Sequence, residues 1–414
     1  MNAYLENLIH RSRTSFDRLK GSTTLERNQA LTNIAEVLVQ NSAQILAANL
    51  KDVEAAKATG MSDSLIDRLT LNEARIKGMA QGVLDIRDLP DPIGQVVRGN
   101  KLKNGMTVEQ VREPLGVIAM IFEARPNVTV DAAVLSIKSA NSCILRGGKE
   151  ALHSNKILTD LIRQAIATVL PMDCVSLIEN TDHALVDELL QARGLVDLVI
   201  PRGSARLINK VVADARVPVI ETGAGICTAY VAPSATLEDA LNIVINGKTQ
   251  RPSVCNALEN LLVHETVAAE FMPKLYERLN ALHTELRGDD RIVALTGCNQ
   301  ATDEDFDTEY LDYILSAKTV GSTEEAIAFI NAHGTHHSDV ILTEDYREAR
   351  QFLAEVDSAC VYVNASTRFS DGAEFGYGAE IGISTQKMHA RGPFGLTELT
   401  TTKYLITGEG QTRT

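Results

Sequence analysis

The chain has 414 residues, 40 Lys plus Arg against 54 Asp plus Glu, and a net charge of -14, with 44% apolar and 23% charged residues. This is ordinary globular composition, long enough for two or three domains with real cores. The acidic balance excludes a nucleic-acid binder built on phosphate neutralisation and a membrane binder built on clustered Lys and Arg, and no apolar run approaches a spanning helix or a secretory signal.

The first hundred residues predict helices. Leu31, Ile34, Ala35 and Leu38 recur at i, i+3, i+4 and i+7, one face of a helix. A hairpin follows over 96–111, with Asn104-Gly105 between strand-like arms. Short apolar runs then alternate with helical periods. Val117 to Phe122, Cys143 to Leu145, Val175 to Ile178, Leu198 to Ile200 and Val217 to Ile220 read as strands. Residues 129–139, a segment capped by Ser154, and a segment from Ala205 read as helices between them. This βαβ rhythm predicts a parallel sheet covered by helices on both faces. A second α/β stretch runs from about Ala229 to Val363, with strands expected at Leu261–Val263, Ile292–Leu295, Val340–Leu342 and Val361–Val363. A glycine-rich region precedes a strand-like tail, Leu399 to Ile406.

Several motifs fail on inspection. Gly247-Lys248-Thr249 lacks the P-loop glycine, with Asn242 in its place, and Asp303, Asp305 and Asp307 lack the Gly and Glu of a calcium loop. His333, His336 and His337 have no Cys or carboxylate pattern beside them, so no metal is expected. Gly223-Ala224-Gly225 and Gly376-Tyr377-Gly378 do not complete a dinucleotide fingerprint.

Two strand-to-helix junctions are more informative. Leu145 leads into Arg146-Gly147-Gly148-Lys149, and Ile200 into Pro201-Arg202-Gly203-Ser204. Basic, glycine-containing turns at helix N-termini attract anions, and two in one acidic chain favour a phosphate-bearing ligand such as a dinucleotide. Phe122-Glu123-Ala124-Arg125-Pro126-Asn127 ends another strand in a polar cluster. Asn127 could donate to an oxyanion or cap a helix, and Arg125 could clamp an anion.

The six cysteines, Cys143, Cys174, Cys227, Cys255, Cys298 and Cys360, contain no CxxC pair. They read as free thiols of a reducing cytoplasm. Cys255 stands apart, in Arg251-Pro252-Ser253-Val254-Cys255-Asn256 after a helix break. Arg251 and a nearby helix N-terminus are expected to favour the thiolate, as a nucleophile requires. The other five suit buried positions or loops without an activating neighbour.

With these residues in hand, the chain resembles the γ-glutamyl phosphate reductase (glutamate-5-semialdehyde dehydrogenase) family. The resemblance rests on PLGVIAMIFEARPNVTVDAA at 114–133, LRGGKEA at 145–151, RPSVCNALEN at 251–260 and EFGYGAEIGISTQKMHARGPFGL at 374–396. It departs at Phe329, where the family usually has His. The family is similar in fold to the aldehyde dehydrogenases. This implies an α/β protein with two Rossmann-like domains and a small β-hairpin oligomerisation element. The expected division is a cofactor-binding domain at 1–95 and 112–228, a catalytic domain at 229–396, and the hairpin and tail strand at 96–111 and 397–407.

The resemblance also implies roles. Cys255 would be the nucleophile and Asn127 the oxyanion donor. Arg146, Gly147, Lys149, Gly203, Ser204 and Glu309 would hold the cofactor, with Arg125 and Arg391 for anionic substrate groups. Glu221 occupies the approximate place of the dehydrogenase general base. The implied reaction is NADPH-dependent reduction of L-glutamyl 5-phosphate to L-glutamate 5-semialdehyde and phosphate through a cysteine thioester, in L-proline biosynthesis. The alternative is an NAD-dependent dehydrogenase of a small aldehyde. A cytoplasmic homo-oligomer, dimer or tetramer, is expected, supplied by a separate glutamate 5-kinase.

Overall fold

In the computed structural model, which describes residues 1–413, the chain divides into two units. The first comprises Met1–Glu221, Tyr377–Gly382 and the residues from Phe394 onward; the second comprises Thr222–Gly376 and Ile383–Pro393.

The first unit is built on a four-stranded parallel sheet in the order Val175–Leu177, Ser142–Gly147, Val117–Phe122, Leu198–Arg202. Its middle strands are buried along their whole length, as an apolar run covered on both faces should be. Val117, Ala119 and Ile121 face one apolar cluster, with Leu5, Leu8 and Ile9 of the helix Ala3–Leu19 and Leu185 and Leu189 of the helix His183–Leu190. Among the described residues no helix is long and apolar enough to cross a membrane.

Three local expectations change. Ser154 does not cap its helix, which begins at Leu152 after the 3₁₀ turn Lys149–Ala151. The open amides of His153 and Ser154 are instead taken by the Asp52 carboxylate of the helix Ser42–Ala58, at 3.2 and 2.7 Å. Val217 to Ile220 makes only a single bridge, Val199 to Val219, because Pro218 has no N–H to extend a ladder. In the hairpin, Val96–Lys101 pairs antiparallel with Thr107–Pro114, but only Gly105 takes a left-handed φ, +90°. Thr400–Thr407 then pairs with the whole of Thr107–Pro114, closing a three-stranded sheet.

The second unit carries a seven-stranded sheet in the order Asn299–Gln300, Glu285–Gly288, Ile314–Val320, Leu258–His264, Cys227–Val231, Ser338–Leu342, Cys360–Val363. Every pairing in it is parallel. One face packs on Leu237–Thr249 and Glu265–Ala281, the other on Thr323–His333 and Tyr346–Glu355. Ile292–Leu295 is helical rather than extended, within Asp290–Thr296. Asp289 caps its start, accepting from the Ile292 N–H, and Gly297 ends it at φ 73°. A four-residue apolar run carries no period that separates strand from buried helix.

Candidate active site

In the first unit, three neighbouring strand ends gather most of the predicted cofactor residues. Phe122 lies in register with Gly147 on one side and Arg202 on the other, so the segments after all three emerge at one carboxyl edge. That edge is where open α/β sheets bind ligands. Arg125 and Asn127 follow the first strand, Gly147 and Lys149 the second, Gly203 and Ser204 the third.

Ser204 is the N-cap of the helix Ala205–Asp214, its hydroxyl accepting from the Leu207 N–H. The helix end already holds an anion from within the protein. The Glu123 carboxylate accepts from the Ser204 N–H at 2.7 Å and from the Ser204 hydroxyl at 2.9 Å. A Cβ on Gly203 would sit 2.6 Å from that carboxylate, so glycine is what lets it approach. The sequence signal was present in FEARPN, but nothing local pairs Glu123 with Ser204.

Arg146, the basic residue that opens the second turn, folds inward. Its side chain is buried, donating to the carbonyls of Gly147 and Thr181 at 2.6 and 2.9 Å. Its Nε is buried without a partner. Lys149, by contrast, is exposed. Asn127 opens the helix Asn127–Lys138, whose N-cap is Pro126, and its amide donates to Asp131 at 3.0 Å rather than capping the helix. Burial pushes Asp131 up to about 6, against that bond and the charge of Arg202.

Cys255 lies in the second unit, in a turn between the helix Leu237–Thr249 and the strand Leu258–His264. It is partly exposed, whereas the other five cysteines are buried. Burial pushes Cys143 and Cys174 up to about 12, which keeps them as inert thiols. The expected helix N-terminus is not there. The segment after the turn is a strand, and the nearest helix end in the chain is the C-terminus at Thr249.

The loop is rigidly held. Lys248 and Glu259 bracket it with a fully buried ion pair at 2.6 Å. The Cys227 thiol, beneath it, donates to the Cys255 carbonyl at 3.2 Å. Gly225 passes so close that a Cβ there would fall 1.4 Å from that carbonyl oxygen. The Gly225 N–H donates to the Glu309 carboxylate at 2.7 Å, so Glu309 is two steps from the cysteine loop. These residues cluster at the amino ends of their strands, opposite to the edge used in the first unit. Parallel-sheet rules point to carboxyl ends, and so could not have found this placement.

Other residues singled out in the sequence make contacts of their own. Arg391 donates to the Asp357 carboxylate at 2.8 Å, and Lys387 and Arg391 together hold Asp357 down to about 2. Glu221 lies in an extended, partly buried segment at the end of the first unit. His333 pairs with Asp307 at 2.7 Å, His336 with the Asp357 carbonyl, and His337 is buried. Among the described residues no three His, Cys, Asp or Glu side chains could hold a metal.

An edge of glycines beside a helix N-cap and an exposed lysine fits a dinucleotide, and a partly exposed thiol in a braced loop fits covalent catalysis. Each is a feature expected of an oxidoreductase of the aldehyde dehydrogenase class. The model of the aldehyde dehydrogenase family matches residues 2–301. A gamma-glutamyl phosphate reductase of Halothermothrix orenii is 54% identical over 398 residues, 96% of this chain and 95% of that protein. One from Dictyoglomus thermophilum is 50% identical over 414 residues, 99% of this chain and all of that protein. The crystal structure of the Thermotoga maritima gamma-glutamyl phosphate reductase superposes with a TM-score of 0.97 at 46% identity, covering 99% of this chain and 100% of that one. The chain belongs to the gamma-glutamyl phosphate reductase family, a nicotinamide-dependent branch of the aldehyde dehydrogenases.

Proposed function

We propose that the chain reduces L-glutamyl 5-phosphate to L-glutamate 5-semialdehyde and inorganic phosphate with NADPH, as a step of L-proline biosynthesis. The observation that carries this reading is Cys255, the one partly exposed thiol, in a loop braced on both sides.

The Cys255 thiolate forms a bond to the acyl carbon. The acyl C–O bond to phosphate breaks, and phosphate leaves with the electron pair. A bound nicotinamide supplies the hydride that the resulting thioester accepts. Asn127 is the proposed side-chain donor to the oxyanion of each tetrahedral species, with one amide N–H already positioned by Asp131. Collapse of that oxyanion breaks the C–S bond and returns the thiolate. No water has to be activated, so Glu221 is not assigned a deacylating role. Glu309 is proposed at the nicotinamide ribose, and Gly147, Gly203 and Ser204 at the dinucleotide phosphates. Arg125 is proposed for a substrate carboxylate. NADPH preference is assigned to Lys149, the exposed cation of its turn, with Arg146 shaping that turn from beneath. The exposed sheet of Val96–Lys101, Thr107–Pro114 and Thr400–Thr407 is the proposed contact of a homo-oligomer, and a separate glutamate 5-kinase the source of the unstable acyl phosphate.

The test supplies the acyl phosphate with a kinase and follows NADPH oxidation at 340 nm. Cys255→Ala is expected to abolish it with folding intact. Run in reverse, semialdehyde oxidation should require inorganic phosphate. Phosphate-independent oxidation would instead identify an ordinary aldehyde dehydrogenase.

A further inference from the structure

Besides Gly225 and Cys227, the loop that carries Cys255 is strapped to the 3₁₀ turn Thr367–Phe369 and the residues around it. Thr367 donates its hydroxyl to the Asn256 carbonyl at 2.8 Å. The Asn256 amide donates to the carbonyls of Arg368 and Ser370 at 3.3 and 2.9 Å. The Arg368 Nε donates to the Gln250 side chain at 2.9 Å. Arg368 is therefore fixed at both backbone and guanidinium to the residues on either side of Arg251 to Cys255.

The electrostatics agree with this placement. Arg368 is held below the ordinary arginine value, first by burial and then by the positive charge of Arg251, while Cys255 and Asp371 pull it the other way. Arg251 and Arg368 thus repel one another across the neighbourhood of the thiol. Among the described residues neither forms an ion pair, in a chain with a net charge of -14. Two guanidinium groups that repel one another, only one of them partly offset by Asp371, make a site for an external anion. A planar fork of donors suits a phosphate in particular.

We propose that Arg368, with Arg251, is the anion clamp of this cysteine, holding the phosphoryl group of the acyl phosphate as the thiolate attacks and receiving the phosphate that leaves. The clamp rests on the reductase reading for its natural ligand, but not for its existence. It also supplies the positive charge that the strand following Cys255 cannot. The clamp makes the site selective for acyl donors whose leaving group is a small dianion.

The test has two arms on the full-length enzyme. In the first, inorganic phosphate is varied in the reverse reaction. Arg368→Gln is expected to raise the KM for phosphate at least tenfold and leave the KM for NADP unchanged, with Arg368→Lys recovering part of the loss. In the second, Cys255 is alkylated with iodoacetate and with neutral iodoacetamide, and the rate ratio is measured without any turnover. Arg368→Gln and Arg251→Gln should each lower the anionic-to-neutral ratio several-fold. An unchanged ratio together with an unchanged phosphate KM in Arg368→Gln would overturn the clamp while leaving the reductase reading intact. A lowered ratio in a protein with no phosphate-dependent turnover would keep the clamp and remove the reading of its ligand. If Arg368→Gln fails to fold, the Arg251→Gln and Arg368→Lys ratios decide.

Discussion

Asp339 shows how one side chain can set the pH response of the second unit. It is fully buried, accepts from the Thr228 N–H at 2.7 Å and from the Ser358 hydroxyl, and burial pushes its carboxyl up to about 7. The folded-state value lies above the unfolded one. The unfolded chain therefore releases this proton first as pH rises, and stability is lost between the ordinary carboxylate value and about 7. Asp339→Asn keeps an acceptor for Thr228 and removes the titration. Relative to the wild type, the variant is expected to gain stability between pH 5 and pH 8, read from urea midpoints at the two pH values. His337, two residues earlier and pushed down to about 4 by burial, stays neutral over that range and cannot produce the same slope.

The junctions between strands and helices are where sequence and structure met best and also where they parted. The βαβ rhythm around Val117–Phe122, Ser142–Gly147 and Leu198–Arg202 was readable because buried parallel strands are continuous apolar runs. The junction residues Gly147, Gly203 and Ser204 were readable because tight turns and caps demand those types. The groups that fill those junctions were not. Asp52 caps a helix a hundred residues away, and Glu123 reaches Ser204 across 81 positions. Arg146 was readable as a basic residue of its turn, but a sequence does not say whether a charge folds inward onto carbonyls. The Cys255 loop was legible from Pro252 and Arg251, but its strap to Thr367 and Arg368 is a contact over 111 positions. The Glu123 contact carries a prediction of its own. As a carboxylate on the N-terminus of Ala205–Asp214, it competes with any phosphate placed there. Glu123→Ala is expected to tighten NADPH several-fold in a fluorescence titration and to destabilise the protein by about 1 kcal/mol, the usual worth of a lost cap. Unchanged or weaker NADPH binding would mean that Glu123 is not in the way of the cofactor.

At the scale of the molecule, the three-stranded sheet is the part least explained by its own unit. All six residues of Val96–Lys101 are exposed, as are Tyr404, Leu405 and Ile406 on Thr400–Thr407. Ile406 is 63% exposed and Val97 50%. Apolar, β-rich surface of this kind is normally covered by another sheet. Ile406→Asp is therefore expected to shift the protein toward monomer in light scattering, with the far-ultraviolet circular dichroism unchanged. A wild type that is already monomeric at micromolar concentration would remove this role.

The same sheet has a bearing on synthesis. Thr107–Pro114 is made early, but its partner Thr400–Thr407 emerges only after the whole second unit has been translated. The Asn141 side chain likewise donates to the Leu399 carbonyl, so an interior amide of the first unit waits for the same stretch. At ordinary elongation rates that delay is roughly 15 to 60 s. The first unit must spend it with an open edge on a nascent chain, guarded only by whatever binds unpaired strands at the ribosome.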